Sequence, residues 1–407
     1  MIGDGWDGDP STRPQPDPAQ SDRPPRRVAV VTGSRAEFGL LRPVMTAIAA
    51  QSGLELAVVV AGSHLILPAD TFREVKASFA VADSVPMQIA GRTTRFDDAE
   101  AVGRGVARFA RSFAGLAPSW VVVLGDRIEA FAAASAASIA GYTLAHIHGG
   151  DRAEGIADEA MRHAITKLAH VHFAASEQSA ERIRKMGERA EYVFLSGSPA
   201  IDGLEQMSTM TDDEFAALGS PEAVVLMHPI GRPDEAEEHA TNAALSSLEG
   251  RRVLALHPNH DPGRAGVLRA IQNWANAQSA TEPAREIRSH LSRQHFVGLL
   301  KRLARGNGVL VGNSSSGLIE AAALGVAVVD IGQRQAGRER PSHVVHEDHE
   351  STAAILGAIH RAIELARALP TNVSHPYGNG NTGVFIAQTL ARLDPNRRDM
   401  IRKRIAY

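Results

Sequence analysis

Short runs of branched aliphatic residues alternate with stretches of helical period along most of this chain. Apolar runs stand at residues 28–32, 56–60, 121–124, 143–147, 171–174 and 192–195, and again at 223–227, 252–256, 308–311 and 326–331. Between them lie helical patterns. One follows Gly33-Ser34-Arg35 and holds Leu40, Leu41, Val44 and Ile48, with Pro43 tolerable only near its start. Others are expected at 99–116, 128–140, 158–170, 234–248 and around 299–303. In the 158–170 pattern Ala160, Met161, Ala164, Ile165 and Leu168 form an apolar stripe, while Asp158/Arg162 and Glu159/His163 pair at i, i+4 on the polar side. Strand, helix and strand at this spacing make βαβ units with parallel neighbours. The fold class is therefore α/β, with two Rossmann-like domains, each built on a parallel sheet, and a cleft between them. The expected boundaries are a disordered tail at 1–26, a first domain at 27–204, a second at 205–375, and a helical segment at 376–407 that packs back on the first. The tail is rich in Pro, Asp, Gly and Arg and has almost no apolar side chains to bury.

Composition narrows the function. With 407 residues, 44% hydrophobic and 22% charged, the chain is an ordinary soluble protein with ample core. Its net charge of −3 and the lack of a long basic stripe argue against duplex nucleic acid as partner. The absence of cysteine excludes disulfides, thiolate catalysis and cysteine-bound zinc. The most apolar run, 131–145, is too short and too rich in Ala, Ser and Gly to span a bilayer, and the N-terminus has no apolar signal core, so no membrane partner and a cytoplasmic location are expected.

The candidate chemistry lies where strands end. Asp126 and Arg127 follow the run at 121–124; His148, Gly149, Gly150 and Asp151 follow the next. Open parallel sheets bind ligands at the carboxyl ends of their strands, so Asp126, Asp151, Glu154 and Asp158 are expected to meet at one crevice as acid/base groups. The plainer reading gives Asp158 and Glu159 to helix-surface ion pairs and makes Asp126 a helix cap. The turn Gly312-Asn313-Ser314-Ser315-Ser316-Gly317 opens a helix holding Glu320. Free N–H groups at that helix start, with the serine hydroxyls, suit a diphosphate, and Glu320 suits ribose hydroxyls; serines that only cap the helix fit equally well. Neither a Walker motif nor G-x-G-x-x-G is present. His64, His228 and His257 each follow a strand, His146 and His148 alternate on one, and His346, Asp348 and His349 cluster late. None of these spacings is a standard metal site, so neither metal nor cofactor is expected.

Several stretches together resemble one family. They are VTGSRAEFGLL from Val31, AGSHL from Ala61, VVLGDRIEA from Val122, HIHGGD from His146, DEAMRHAITKLAHVHF from Asp158, MHPI from Met227, VGNSSSGLIEA from Val311 and IGQRQAGR from Ile331. In this order they resemble the hydrolysing UDP-N-acetylglucosamine 2-epimerases of sialic and related nonulosonic acid pathways, over about residues 28–390. The resemblance implies a glycosyltransferase-B-like fold, with the nucleotide on the second domain and the sugar in the cleft against the first. By position, Ser314, Ser315 and Glu320 hold UDP, with Asn313, Ser316 and Gly317 completing their turn. Arg35, Arg334 and Arg338 lie near its charges, and His64 and Arg127 are further substrate contacts. Asp126, Asp151, Glu154 and Asp158 are the acid/base group, supported by Glu159, His148 and His228. Non-hydrolysing relatives carry Glu in H-V-E-A-G where this chain has His148 in H-I-H-G-G, which favours the hydrolysing branch. The implied reaction takes a UDP-amino sugar and water to a free N-acetylmannosamine-type sugar and UDP, by elimination and hydration. The same resemblance implies a homo-oligomer, dimer or tetramer. Three departures bear on the sugar: Asp151 stands where Glu is usual, HPIGRP replaces HP followed by Val and two Thr, and HPNHDPGR carries His260 and Pro262 where small residues are common. The alternatives are a glycosyltransferase of the same fold, a non-hydrolysing epimerase, and a nucleotide-sugar sensor without turnover.

Overall fold

The structure, a computed structural model, describes residues 24–67, 71–92, 94–152, 159–258, 263–279, 281–370, 375–404 and 406. Glu154, Asp158, His260, Pro262 and residues 1–23 of the expected tail lie outside the described residues.

The first half builds a seven-stranded parallel sheet. Its strands are β1 Arg26–Thr32, β2 Leu54–Ala61, β3 Val81–Val85, β4 Trp120–Leu124, β5 Leu144–Ile147, β6 Val171–Ala174 and β7 Val193–Leu195. Their spatial order is β3-β2-β1-β4-β5-β6-β7. Successive side chains of a strand point to opposite faces, and both faces here are covered. Val28, Val30, Val58, Val60 and Val122 therefore enter one core, while Ala29, Val31, Val59, Val121 and Val123 enter another. This is why the runs read as continuously apolar rather than alternating.

The second half builds a six-stranded parallel sheet from β8 Ala223–Leu226, β9 Val253–Leu256, β10 Arg285–Arg288, β11 Val309–Gly312, β12 Ala327–Ile331 and β13 Val344–Glu347. Its order is β10-β9-β8-β11-β12-β13. Strand order reverses between β1 and β4 in the first sheet and between β8 and β11 in the second, and ligand crevices form at such switch points. The architecture is the expected pair of Rossmann-like domains. Ala175, Ala200 and Ile201 of the first half pack with Val297, Leu318 and Ile319 of the second in a shared apolar cluster.

Three details differ from the sequence reading. β1 begins at Arg26, inside the segment expected as tail, and Arg26 donates to the carbonyls of Ala391 and Leu393. Pro43 stands in the interior of the helix Arg35–Ala50, not near its start. In the helix Glu159–Leu168 the buried positions are Arg162, Ile165 and Thr166, and Ala160 is exposed. The buried face is turned from the apolar stripe because Arg162 has an acid to meet inside.

The chain crosses between halves twice, and the two crossings touch. The Ser198 amide donates to the Tyr377 carbonyl at 2.7 Å. Asp202 accepts from the amides of Thr382 and Gly383 at 3.0 and 2.6 Å, holding the start of the helix Thr382–Arg392. That helix lies along Arg35–Ala50 and places Ile386, Ala387 and Leu390, with Met400 after it, in the first half's core. Further on, Lys403 donates to the carbonyls of Lys167 and Ala169 at the end of the helix Glu159–Leu168. Among the described residues no helix is long and apolar enough to cross a membrane.

Candidate active site

At the second sheet's switch point, β8 and β11 are tied by one side chain. Asn313 accepts from the His228 amide at 2.7 Å and donates to the His228 carbonyl at 2.8 Å. The strands can approach because Gly312 has no side chain: a Cβ there would lie 2.1 Å from the Leu226 carbonyl oxygen. The Asn313 carbonyl in turn accepts from Arg334 at 3.1 Å and Gln335 at 2.9 Å. His228 is buried, and desolvation followed by the charge of Arg334 holds its imidazole down at about 3, so it is neutral at physiological pH.

The serine turn then enters a helix. Ser314 and Ser316 hydroxyls lie 2.9 Å apart. From Gly317 to Ala321 the helix is wound as a π-turn, a feature that concentrates at functional sites. Glu320 sits in that turn, buried, and pairs with Arg293 at 3.2 Å. Burial raises its carboxyl above the usual range, against the pull of Arg293 and of His148 in the first half.

In the first sheet, His148 follows β5 with φ +64°, a left-handed conformation unusual for a non-glycine residue and common at strained functional sites. Its Nδ1 lies 2.9 Å from Asp151 Oδ2 and its Nε2 2.9 Å from the Ser198 hydroxyl. A carboxylate only accepts, so the network assigns a proton to Nδ1. Asp151 is also buried and accepts from the Ser179 hydroxyl at 2.8 Å. Burial alone would raise its carboxyl; His148, Arg338 and Ser179 outweigh burial and hold it below the ordinary value.

Arg162 completes the group. One guanidinium nitrogen donates to the Asp151 carbonyl at 2.9 Å and another to the Asp126 carboxylate. The arginine is 3% exposed and Asp126 16%, so the pair is largely shielded from water. His146, on β5, holds the same turn through Nε2 at 2.7 Å from the Gly125 carbonyl. Glu159 stands apart from this network, with His163 at 3.2 Å and Arg152 at 3.9 Å.

Cations join the halves across the crevice. Arg338 reaches to 3.9 Å from Asp151 and donates to the Arg152 carbonyl at 3.1 Å. Arg182 donates to Gly150 at 3.1 Å and to Gly337 at 2.9 Å. Arg293 extends from Glu320 to the Ala200 carbonyl, 2.7 Å away. Arg35 is exposed, and its charge depresses His290 in addition to that residue's burial.

Asp126, His148 and Asp151 are thus brought together, with Arg338 across from them, and Asn313 to Glu320 form one continuous turn. His64 is placed differently: it is fully buried between the Thr32 and Thr71 hydroxyls, at 3.0 and 2.5 Å, and burial holds it at about 4. Sequence reading missed Arg162, Ser179, Arg182, Ser198 and Arg293 as parts of the site. Only Arg162 had a signal, a charged residue beside an apolar stripe. Among the described residues no three His, Asp or Glu stand close enough to hold a metal ion.

Comparison with known proteins places this geometry. A profile of the family described as UDP-N-acetylglucosamine 2-epimerase matches residues 46–391. A Legionella pneumophila protein named UDP-N,N'-diacetylbacillosamine 2-epimerase (hydrolyzing) is 33% identical over 393 residues, covering 94% of this chain and all of its own. A Neisseria meningitidis UDP-N-acetylglucosamine 2-epimerase is 29% identical over 350 residues, covering 84% and 89% of the two chains. A crystal structure of UDP-GlcNAc 2-epimerase from Neisseria meningitidis, bound to UDP-GlcNAc, superposes with a TM-score of 0.74 at 19% identity, over 90% of this chain and all of that one. The fold is accordingly glycosyltransferase-B-like, and with the profile spanning most of its length the chain belongs to the UDP-N-acetylglucosamine 2-epimerase family.

Proposed function

We propose that this protein is a hydrolysing 2-epimerase of a UDP-amino sugar, releasing the free 2-epimer and UDP. The carrying observation is the buried His148–Asp151–Arg162–Asp126 network at the strand ends of the first sheet, facing the serine turn and Glu320 of the second. The family relation and the Legionella relative's printed name support the same reading.

The C2 proton of a nucleotide sugar is weakly acidic, so its removal needs a positioned carboxylate acting together with departure of the nucleotide. Asp151 suits a base because it stays ionised despite burial. The C–H electron pair forms the C1–C2 double bond of a glycal as the C1–O bond breaks and its electrons leave on UDP. Helix N–H groups at the serine turn and the crevice arginines offset the charge developing on the diphosphate. Water then adds its oxygen to C1 of the glycal while a proton returns to C2 from the opposite face. Two carboxyl groups fit, since elimination and hydration each need an acid or a base.

The test is turnover of a panel of UDP-amino sugars in isotopic water, without an acceptor. The expected products are UDP and a free sugar carrying deuterium at C2 and heavy oxygen at C1. Heavy oxygen on phosphate would mean phosphodiester hydrolysis. Label at C1 with C2 undeuterated and uninverted would mean direct displacement. An epimerised nucleotide sugar left intact would mean the non-hydrolysing reaction.

A further inference from the structure

Helix Ile128–Ile139 begins with an acid that none of the chemistry above uses. Glu129 is fully buried, and both carboxylate oxygens lack a hydrogen-bond partner among the described residues. An acid in a helix's first turn ordinarily faces water, where it complements the dipole without desolvation. This one is instead enclosed by two strand-end turns that give up their side chains to it. A Cβ on Gly33, after β1, would lie 2.6 Å from Glu129 Cβ, and a Cβ on Gly62, after β2, would lie 2.2 Å from its Oε1. The cradle sits at the switch point between β1 and β4, where a ligand crevice is expected.

The nearest positive group is Arg127, whose Nε lies 3.5 Å from Glu129 Oε2. The arginine is 47% exposed and the glutamate 0%, so the acid is rooted inside and the guanidinium leans out from it. A second carboxyl meets the same turn: Glu37 accepts from the Gly33 amide at 2.8 Å. Desolvation, and then repulsion from Glu129, pushes Glu37 up to about 8 against the pull of Arg127, so it keeps its proton at neutral pH.

We infer that Glu129 is a positioning residue, which fixes the guanidinium of Arg127 at the mouth of the crevice to receive the diphosphate or sugar oxygens of the substrate. This rests on the functional reading above. Asp98, whose carboxyl the charge of Arg127 also influences, completes the acids around that arginine.

A double-mutant cycle read by calorimetry decides it. Binding of UDP-N-acetylglucosamine and of UDP is measured for wild type, E129Q, R127A and the double variant; E129Q keeps the shape of the buried side chain. Melting temperatures establish that each variant is folded, and E129D serves if E129Q is not. The expected result is a loss of about tenfold for each single change and no further loss for the double. E129Q within twofold of wild type, or losses that multiply in the double variant, overturn the inference and leave the functional reading intact. Wild-type protein that binds neither ligand overturns the functional reading, and the inference with it.

Discussion

Arg338, from the second half, holds its guanidinium 3.9 Å from the carboxylate of Asp151 in the first. The base candidate therefore gains an arginine partner from the second half only while the halves face each other. Asp151→Asn keeps size and removes the charge, and the expected cost is about 10²–10⁴ in kcat if Asp151 transfers a proton. Steady-state kinetics on the substrate found by the panel, with circular dichroism to establish folding, checks it. A rate within a few-fold of wild type would make the aspartate structural.

Arg162 is expected to matter for stability as well as rate. It is nearly inaccessible to solvent and bonds both Asp126 and the Asp151 backbone. Removing one partner of a buried ion pair leaves the other desolvated and alone, so Arg162→Ala should cost about 3–5 kcal/mol in urea unfolding. Arg162→Ala together with Asp126→Asn should recover part of that loss, because no unpaired charge then remains. A double variant as unstable as the sum of the singles would contradict the pairing.

Glu320→Ala should weaken UDP binding by about 1–3 kcal/mol, the cost of leaving a buried ribose hydroxyl without its acceptor. The same change frees Arg293 from its carboxylate while its bond to the Ala200 carbonyl remains possible. Unchanged affinity by calorimetry would place the nucleotide elsewhere.

Stability should fall steeply on mild acidification. Burial lowers His64, His170 and His375 from 6.5 to about 4, and His146 and His228 to about 3. The unfolded chain takes up these protons near pH 6.5 while the folded chain resists them, so their contribution is present above 6.5 and is lost as pH falls toward 3. Each contributes a slope of up to about 1.4 kcal/mol per pH unit. Glu37 has the opposite sign. Raised from 4.5 to about 8, it stabilises fully below 4.5 and loses that contribution as pH rises through 8. Thermal melting from pH 5 to 9 should therefore show a steep acid side set by the histidines and a shallow alkaline decline that Glu37→Gln removes. A melting temperature flat between pH 7 and 5 would contradict the burial of these imidazoles.

What could be read in the sequence follows from what each residue touches. β1, β4 and β11 were legible because both their faces are buried, which demands unbroken apolar runs. β3, β10 and β13 lie at sheet edges, where half the surface is wet, and VADSV, REIR and VVHE carry no such signature. In the site, Asp126, His148 and Asp151 were legible because they terminate those legible strands. Arg162 was assigned to a solvated face, since helical period distinguishes apolar from charged positions but not a charge that meets a buried partner. Ser198 and Arg182 reach the His148 turn from later parts of the first half, and Arg293 joins the site only through the packing of the two halves. No local pattern announces them.

The helix Thr382–Arg392 and the residues after it have a consequence for how the molecule is made. Ile386, Ala387, Leu390 and Met400 belong to the core of the first half, yet they leave the ribosome after the whole of the second. The first half cannot close its core during its own synthesis. The second half, contained between the two crossings, has all its strands available earlier and is the unit free to fold first. Closure of the first half's core therefore waits for residues 382–400, whose leading helix is clasped at its start through Asp202.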